Sequence, residues 1–396
     1  MIQKILVMDN GGYSIKVGLT TFEKPHSIPN CIFKSKTDRK RVFVGAQVEQ
    51  CVDRSSLFFI LPFQKGLLVN WDTEQQIWDY IFSKECVGIE CRDTCLLLTE
   101  PYFNFTSIQD ATDEIIFEDF EFQAAYRTTA GSLSAHQHSL SKPDSLGTCV
   151  IVDSGYSFTH IAPYCKGKLI QDAVIRMDVG GKLLTNQLKE WISYRQLQVM
   201  EETYVMNQCK EDSCYVAEDF AKHMNIAQKK MAENSLMREY VLPDFSSNER
   251  GYVRPLSSDR KDQEQTLKLN HERFAIPELL FRPSDVGINQ MGFCEALMYS
   301  ILQKCPQNVQ ARLCDNIVLT GGNTLFPGFL KRTEKEIRSL APDIFDVNIS
   351  QHKDPIEYAW RGGVSFTRNL AFRDMIVTKS EYEEQGSRVC HRKFTL

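Results

Sequence analysis

The 396-residue sequence lacks several features that would assign it to a specialised class of protein. It contains no apolar run near the ~18 residues of a membrane-spanning helix, and no heptad array or low-complexity tract. Its net charge of −5 argues against a protein that coats nucleic acid by charge alone. Its 13 cysteines form no CxxC pair, which favours reduced, mostly buried thiols over disulfides or a zinc site.

The most informative segment is residues 149–160, where an acid, a hydroxyl and a glycine separate two apolar strands. It predicts a tight β-hairpin whose tip presents backbone N–H groups together with the Asp153 carboxylate. Such a tip can bind an anion, and its carboxylate can hold a hydrated Mg²⁺. Residues 5–18 repeat the pattern around Asp9, and a third glycine turn ends residues 316–324. The repetition predicts an internal duplication with a phosphate chain held between the two halves.

The order of these three turns resembles the actin superfamily, and actin-like segments follow along nearly the whole chain. They are residues 62–82, 97–100, 210–220, 283–287, 325–328, 358–363 and 391–393. The resemblance implies an α/β, two-lobed actin-like fold of the duplicated, ribonuclease H-like kind, with a central nucleotide cleft. It implies a small lobe of residues 1–143 plus 360–396, with a subdomain 2-like part at about 33–61. The large lobe is then 144–359, with a subdomain 4-like part at about 181–285.

The resemblance also implies the residues that surround a nucleotide. The candidate cofactor is ATP with Mg²⁺, bound without turnover. Asp9 and Asp153 are expected to hold the metal through water, and Lys16 to contact the phosphates. Ile356 stands where the family has a lysine over the base. The other expected contacts are Asn10, Gly11, Gly12, Ser154 and Gly155 around the phosphates, and Lys210, Glu211, Gly321, Gly322 and Phe326 around the adenosine.

Departures from the family pattern argue against catalysis. Tyr13 replaces a glycine of the first turn, and Tyr156 and Ser157 replace an acid and a glycine of the second. This bulk narrows the space for phosphate. Ala130 replaces the glutamine that positions the attacking water, and a methyl group cannot orient a nucleophile. His160 is retained but has no such partner, so we expect no catalytic residues and negligible hydrolysis.

Residues 157–160, 240–245 and 358–360 resemble one branch of the actin-related proteins in particular. That resemblance implies a non-catalytic scaffold subunit of an ATP-dependent chromatin-remodelling complex, located in the nucleus and partly in the cytoplasm. Such a complex exchanges the Z variant of histone two-A into nucleosomes. Expected partners are an insertion of the motor ATPase, a zinc-finger HIT protein and, indirectly, the variant histone dimer and nucleosome; no membrane contact is expected. The alternatives are an ATP-hydrolysing cytoskeletal protein or a kinase of the superfamily.

Several local segments carry further predictions. The basic run 34–41 is either a solvated loop or a nuclear-import or partner contact. It is shorter than the loop that actins dock into the next filament subunit, so we expect no filaments. The insertion 246–268 is either a disordered loop or a segment that orders on a partner. Residues 73–82 predict an amphipathic helix capped by Asp72, and residues 132–147 a polar link with surface histidines.

Overall fold

The computed structural model describes residues 4–35, 42–51, 57–230, 233–245, 248–255 and 264–394. Its strands are β1 (Lys4–Asn10), β2 (Ser14–Leu19), β3 (His26–Pro29), β4 (Ile32–Ser35), β5 (Val42–Val44), β6 (Leu57–Ile60), β7 (Phe63–Gln64), β8 (Leu67–Leu68), β9 (Thr94–Glu100), β10 (Ala124–Thr129), β11 (Cys149–Ser154), β12 (Thr159–Cys165), β13 (Lys168–Leu169), β14 (Ile175–Met177), β15 (Arg238–Val241), β16 (Tyr252–Val253), β17 (Thr266–Leu269), β18 (Ile317–Thr320), β19 (Ile349–Gln351) and β20 (Val377–Thr378). Its α-helices are α1 (Trp71–Phe82), α2 (Thr106–Glu114), α3 (Ala130–Ser141), α4 (Gly181–Arg195), α5 (Thr203–Ser213), α6 (Phe220–Ala227), α7 (Glu272–Glu278), α8 (Phe293–Tyr299), α9 (Gln307–Cys314), α10 (Phe329–Leu340), α11 (Tyr358–Phe366), α12 (Phe372–Met375), α13 (Lys379–Gln385) and α14 (Ser387–Lys393).

Two six-stranded sheets that share a five-strand arrangement form the framework of the described residues. The first has the order β20-β10-β9-β1-β2-β3, and the second the order β13-β12-β11-β18-β19 with β14 also paired to β12. In the first sheet, the β1–β2 hairpin is followed by β9 and β10, which pair in parallel. In the second, the β11–β12 hairpin is followed by the parallel strands β18 and β19. This repeat confirms the predicted duplicated, two-lobed α/β fold. We call the part of the chain built on the first sheet the first half, and the part built on the second sheet the second half.

Each sheet has its own hydrophobic core, because its central strands are apolar and covered by helices. Strand β9 is buried along its whole length, and Leu97 belongs to the core of the first half. Val152 and Leu319 belong to the core of the second half. The carboxyl-terminal part returns to the first sheet, where Trp360 of α11 donates its indole N–H to the Val7 carbonyl at 3.2 Å. The lobe boundaries given above stay predictions.

The predicted cap of helix α1 is wrong by two residues. The helix begins at Trp71, and its N-cap is Asn70, whose side-chain oxygen accepts a hydrogen bond from the Thr73 amide at 3.1 Å. Asp72 already lies inside the first turn, where its negative charge interacts favourably with the positive end of the helix dipole. Ile77 and Ile81 are buried, which gives the amphipathic helix its apolar inward face.

The predicted polar link over residues 132–147 is also wrong in its first part. Residues 130–141 form helix α3, which buries Leu133 and Ala135 on one face. His138, predicted to lie at the surface, is buried, and its Nε2 lies 3.4 Å from the Asn316 side-chain oxygen. The apolar periodicity of a helix is hard to recognise here because polar serine and histidine side chains, which are hydrogen-bonded or packed inside the fold, stand at inward positions.

The described part of the predicted insertion is ordered, so the disordered-loop alternative does not hold for it. Its strands β16 and β17 flank β15 in a three-stranded sheet. The buried guanidinium of Arg254 lies 3.3 Å from the Glu239 carboxylate and 2.7 Å from that of Glu264. In the basic run, Lys34 and Ser35 belong to β4, and residues 36–41 lie outside the described residues.

The sequence predicts no disulfides, no zinc site and no membrane-spanning helix, and these three predictions can be compared with the described residues. The cysteines are all free thiols, most of them buried. Among described residues, no group of three or more histidine, cysteine or acidic side chains is arranged to hold a metal ion. No helix in the described part of the chain is long and apolar enough to cross a membrane.

Candidate functional site

One cleft of about 610 Å³ brings the three glycine turns together. The predicted site residues that line it are Asp9, Asn10, Gly11, Gly12, Lys16, Asp153, Gly155, Lys210, Glu211, Gly321, Gly322 and Phe326. The substituted positions Tyr13, Ala130, Tyr156, Ser157 and Ile356 line the same cleft, as does His160. Ser154 lies behind the second turn, where its hydroxyl bonds that of Thr159 at 2.9 Å and accepts from the Asn323 amide at 3.1 Å.

The first turn places an acid and a base side by side. Asp9 and Lys16 are directly opposed in the β1–β2 register, because the turn between them is short. The Lys16 ammonium lies 3.8 Å from the Asp9 carboxylate and donates to the Ser14 carbonyl at 3.2 Å. The other Asp9 carboxylate oxygen accepts from the Thr99 hydroxyl of β9 at 2.9 Å. Lys16 therefore reaches back toward the tip of the turn, and its contact with phosphates stays a prediction.

A second carboxylate faces this pair from the other half. The pKa of Asp153 is raised to about 6, chiefly by burial and also by the negative charge of Asp9, while Lys16 partly opposes the shift. Two carboxylates that share one ammonium carry an excess of negative charge, which a hydrated divalent cation would neutralise. The role of Asp9 and Asp153 in holding Mg²⁺ through water stays a prediction that this electrostatic arrangement fits.

The third turn packs against the second turn, and the close approach requires glycine at position 321. Gly321 has a φ of +89°, and a Cβ there would lie 2.3 Å from the Ser154 carbonyl oxygen and 2.8 Å from an Asp153 carboxylate oxygen. Only glycine allows both this backbone conformation and this approach. The Asn323 amide donates to the Gly155 carbonyl at 2.7 Å, which fixes the two turns together.

The amine of Lys210 is bonded inside the protein. It donates to the Gly181 carbonyl at 3.1 Å, the Thr185 hydroxyl at 2.9 Å and the Asn207 side-chain oxygen at 2.9 Å. Burial lowers the pKa of Lys210 to about 8. Three acceptors match the three N–H groups of an ammonium, so Lys210 stabilises the packing of α4 on α5. Its predicted contact with adenosine would require breaking one of these bonds, whereas Glu211 lines the open cleft.

The tips of the two hairpins are in direct contact. The rings of Tyr13 and Tyr156 lie 4.9 Å apart between centroids, with their planes at 39°. A Cβ on Gly12 would lie 2.8 Å from the Ser157 hydroxyl. A phosphate chain between the turns needs hydrogen-bonding distances on both sides of its oxygens, and the contact between the tips narrows the space for it. The bulk expected from the sequence therefore brings the two tips into contact. Bound ATP with Mg²⁺ stays a prediction.

The position where the family's glutamine would orient a water carries no hydrogen-bonding side chain. Ala130 begins α3 there and presents a methyl group. His160 is buried between the rings of Tyr102 at 4.9 Å and Phe158 at 4.1 Å. Burial and the nearby Arg176 charge lower the pKa of His160 to about 3, so the ring is neutral. Its Nε2 has no hydrogen-bond partner among the described residues.

Sequence reasoning missed three residues that hold this site together. Glu74 bonds the side chain of Asn10, Asn207 bonds that of Tyr13, and Arg176 reaches the first half of the chain. Glu74 carried a usable signal, because it shares the inward face of α1 with residues three and four positions later. Asn207 and Arg176 carried none, since their partners are distant in sequence.

The sequence is similar to known proteins along its whole length. The family described as Actin matches residues 2–395. Actin-related protein 6 of Drosophila melanogaster is 44% identical over 392 residues, which cover 98% of either chain. The actin-like protein ARP6 of Yarrowia lipolytica is 37% identical over 393 residues, covering 98% of this chain and 97% of that protein. Actin-related protein 6 of Arabidopsis thaliana is 36% identical over 424 residues, covering 99% and 100%.

Proposed function

Because this chain belongs to the actin family, we propose that it serves as a non-catalytic subunit of a nuclear chromatin-remodelling complex. The resemblance to the actin superfamily is confirmed, and the chain is an actin-related protein. The proposed complex uses a separate motor ATPase to exchange the Z variant of histone two-A into nucleosomes. In it, this subunit acts as a scaffold.

The observation that carries the non-catalytic part of the proposal is the Ala130 methyl group at the end of the cleft. General-base or water-positioning chemistry needs a side chain that donates or accepts hydrogen bonds. His160, which lines the same cleft, is neutral and enclosed by aromatic rings. With Tyr13 and Tyr156 in contact across the cleft, the arrangement favours binding and scaffolding over hydrolysis.

The proposed partners are those that the resemblance implies. They are the insertion segment of the motor ATPase, a small zinc-finger HIT protein and, through them, the variant histone dimer and the nucleosome. We place the chain mainly in the nucleus, with some in the cytoplasm, and propose that it does not form filaments. Analogy supports this step, because a fold by itself does not determine function.

The test is a tagged purification from nuclear extract at moderate salt, with mass spectrometry of stoichiometric partners and the tag alone as control. Recovery of a remodelling motor, a zinc-finger HIT protein and the variant histone is the expected result. Recovery of the chain alone, or with cytoskeletal proteins, would contradict the proposal. Two further assays address the alternatives: phosphate release from Mg-ATP should stay at background, and Mg-ATP should produce no sedimentable filaments.

A further inference from the structure

Two residues of the second turn contact the first turn across the cleft. Tyr156 stacks obliquely on Tyr13, with 4.9 Å between ring centroids. The position of a Cβ on Gly12, 2.8 Å from the Ser157 hydroxyl oxygen, places the Gly12 Cα within roughly 4.3 Å of that oxygen. Neither contact belongs to the hydrogen bonding of either sheet. They join the two halves directly.

Phe158, the third of these residues of the second turn, contacts another segment of the first half, around Gly66. A Cβ on Gly66 would lie 1.9 Å from the Phe158 ring, and Gly66 has a φ of +74°. The Arg176 guanidinium lies 5.0 Å from the centroid of the same ring and donates to the Lys65 carbonyl at 2.6 Å. Phe158 is therefore held between a cation of its own half and the glycine turn of the other half.

The hydroxyl group of Tyr13 is also hydrogen-bonded to a residue of the second half. Its hydroxyl accepts a hydrogen bond from the Asn207 amide at 3.1 Å. The oxygen of the same amide accepts from Lys210 and from Thr185, both at 2.9 Å. The network ties the first turn to helices α4 and α5.

We infer that these contacts hold the two lobes closed without a nucleotide. We call them the cross-cleft latch, which consists of Tyr13, Tyr156, Ser157 and the contact of Phe158 with Gly66. In a cleft between two anion-binding turns, a phosphate chain would be the bridge that draws the turns together. Here the tyrosine pair and the Ser157 hydroxyl join the turns directly. Tyr13 and Tyr156 are thus specificity determinants that exclude a triphosphate from the closed form. The chain presents the same surface to its partners whether ATP is present or absent.

The test replaces both tyrosines of the latch, as Tyr13→Ala with Tyr156→Ala. The matched control replaces two exposed tyrosines, Tyr194→Ala with Tyr299→Ala. The radius of gyration from small-angle X-ray scattering and the thermal unfolding midpoint are measured for each protein, with and without millimolar Mg-ATP. We expect the wild type and the control to be compact and insensitive to Mg-ATP. The latch variant should be expanded and less stable, and Mg-ATP should raise its unfolding midpoint.

Either of two results would overturn the inference. One is a wild-type chain whose radius of gyration falls and whose unfolding midpoint rises by several degrees in Mg-ATP, since a ligand stabilises the state that binds it. The other is a latch variant as compact as the wild type. If the double variant does not fold, Tyr156→Ala alone is compared with Tyr194→Ala by the same measurements. These assays use the isolated chain, so their outcome is independent of whether the proposed complex partners are recovered.

Discussion

The side-chain amide of Asn10 donates a 2.7 Å hydrogen bond to the carboxyl group of Glu74, which lies buried beneath the first turn. The same carboxyl oxygen accepts from the Trp78 indole at 3.1 Å. The second oxygen has no hydrogen-bond partner among the described residues. A titratable group on α1 therefore supports a residue of the cleft, and its protonation links pH to the stability of the first turn.

Replacing Glu74 should remove a pH dependence of stability. Burial raises the pKa of Glu74 from 4.5 to about 7, so the folded state binds more protons than the unfolded state between these pH values. The contribution of this group is therefore fully present below about pH 4.5 and is lost as pH rises through 7. In urea, the free energy of unfolding of Glu74→Gln relative to the wild type should rise by about 2–3 kcal/mol from pH 5 to 8.

The control for this experiment is Asp72→Asn, at an exposed position in the first turn of the same helix. Its free energy of unfolding should differ from that of the wild type by an amount that does not change with pH over this range. A Glu74→Gln difference that is also constant with pH would show that the carboxyl group does not titrate there.

His160 should produce the opposite pH dependence. Its pKa falls from 6.5 in the unfolded chain to about 3, because the ring is buried and Arg176 is near. The stability associated with the neutral ring is present above pH 6.5 and is lost as pH falls. His160→Phe keeps an aromatic ring without a charge, and its stability relative to wild type should rise by about 2 kcal/mol from pH 7.5 to 5.

The exposed His26 supplies the comparison, as His26→Phe. Its stability difference from wild type should change much less over the same pH interval. A nuclear magnetic resonance titration gives an independent measurement: the ring carbons of His160 should keep the shifts of neutral imidazole down to pH 4. A half-protonated ring near pH 6 would contradict the burial argument.

The local pattern of the sequence predicts the parts of the fold that depend on short-range chemistry. The two hairpins could be identified because apolar strands flank Asp9 and Asp153 with turn residues between them. Repetition of that pattern predicts the duplication. The N-cap of α1 was misplaced because Asn70 and Asp72 are both good caps, and only backbone conformation distinguishes them.

The details of the site depend on residues far apart in sequence, which a local pattern does not reveal. Lys210 had the right position for a ligand contact, but Thr185 and Asn207 engage its amine. The narrowing of the cleft by Tyr13 and Tyr156 could be predicted from side-chain size. That their rings would touch depends on how the two sheets are placed, which is a tertiary relationship.

The contact of Gly66 with Phe158 predicts a steric effect that can be separated from backbone strain. Gly66 has a φ of +74° and its Cβ position is occupied by Phe158, whereas Gly167 has a φ of +76° with nothing within 4 Å. Gly167→Ala should cost about 1–2 kcal/mol of unfolding free energy. Gly66→Ala should cost about 1–3 kcal/mol more, because the ring must move. Chemical denaturation of both variants measures the difference.

A second substitution identifies the source of that extra cost. Phe158→Leu should recover part of the stability lost in Gly66→Ala and none of that lost in Gly167→Ala. Equal losses in the two glycine variants, or no coupling between Gly66 and Phe158, would show that the second turn does not press against the first half.

Arg127 provides a test of the first half alone, because its guanidinium is buried with two carboxylates. It donates to both oxygens of Asp113 at 2.8 and 3.0 Å and to Glu100 at 2.8 Å. Arg127→Met leaves buried carboxylates without their cation, so we expect a loss of about 3–5 kcal/mol in urea unfolding. The comparison is Arg92→Met, which breaks an exposed pair with Glu121 and should cost less than about 1 kcal/mol. Equal losses would mean that water reaches the Arg127 network and screens its charges.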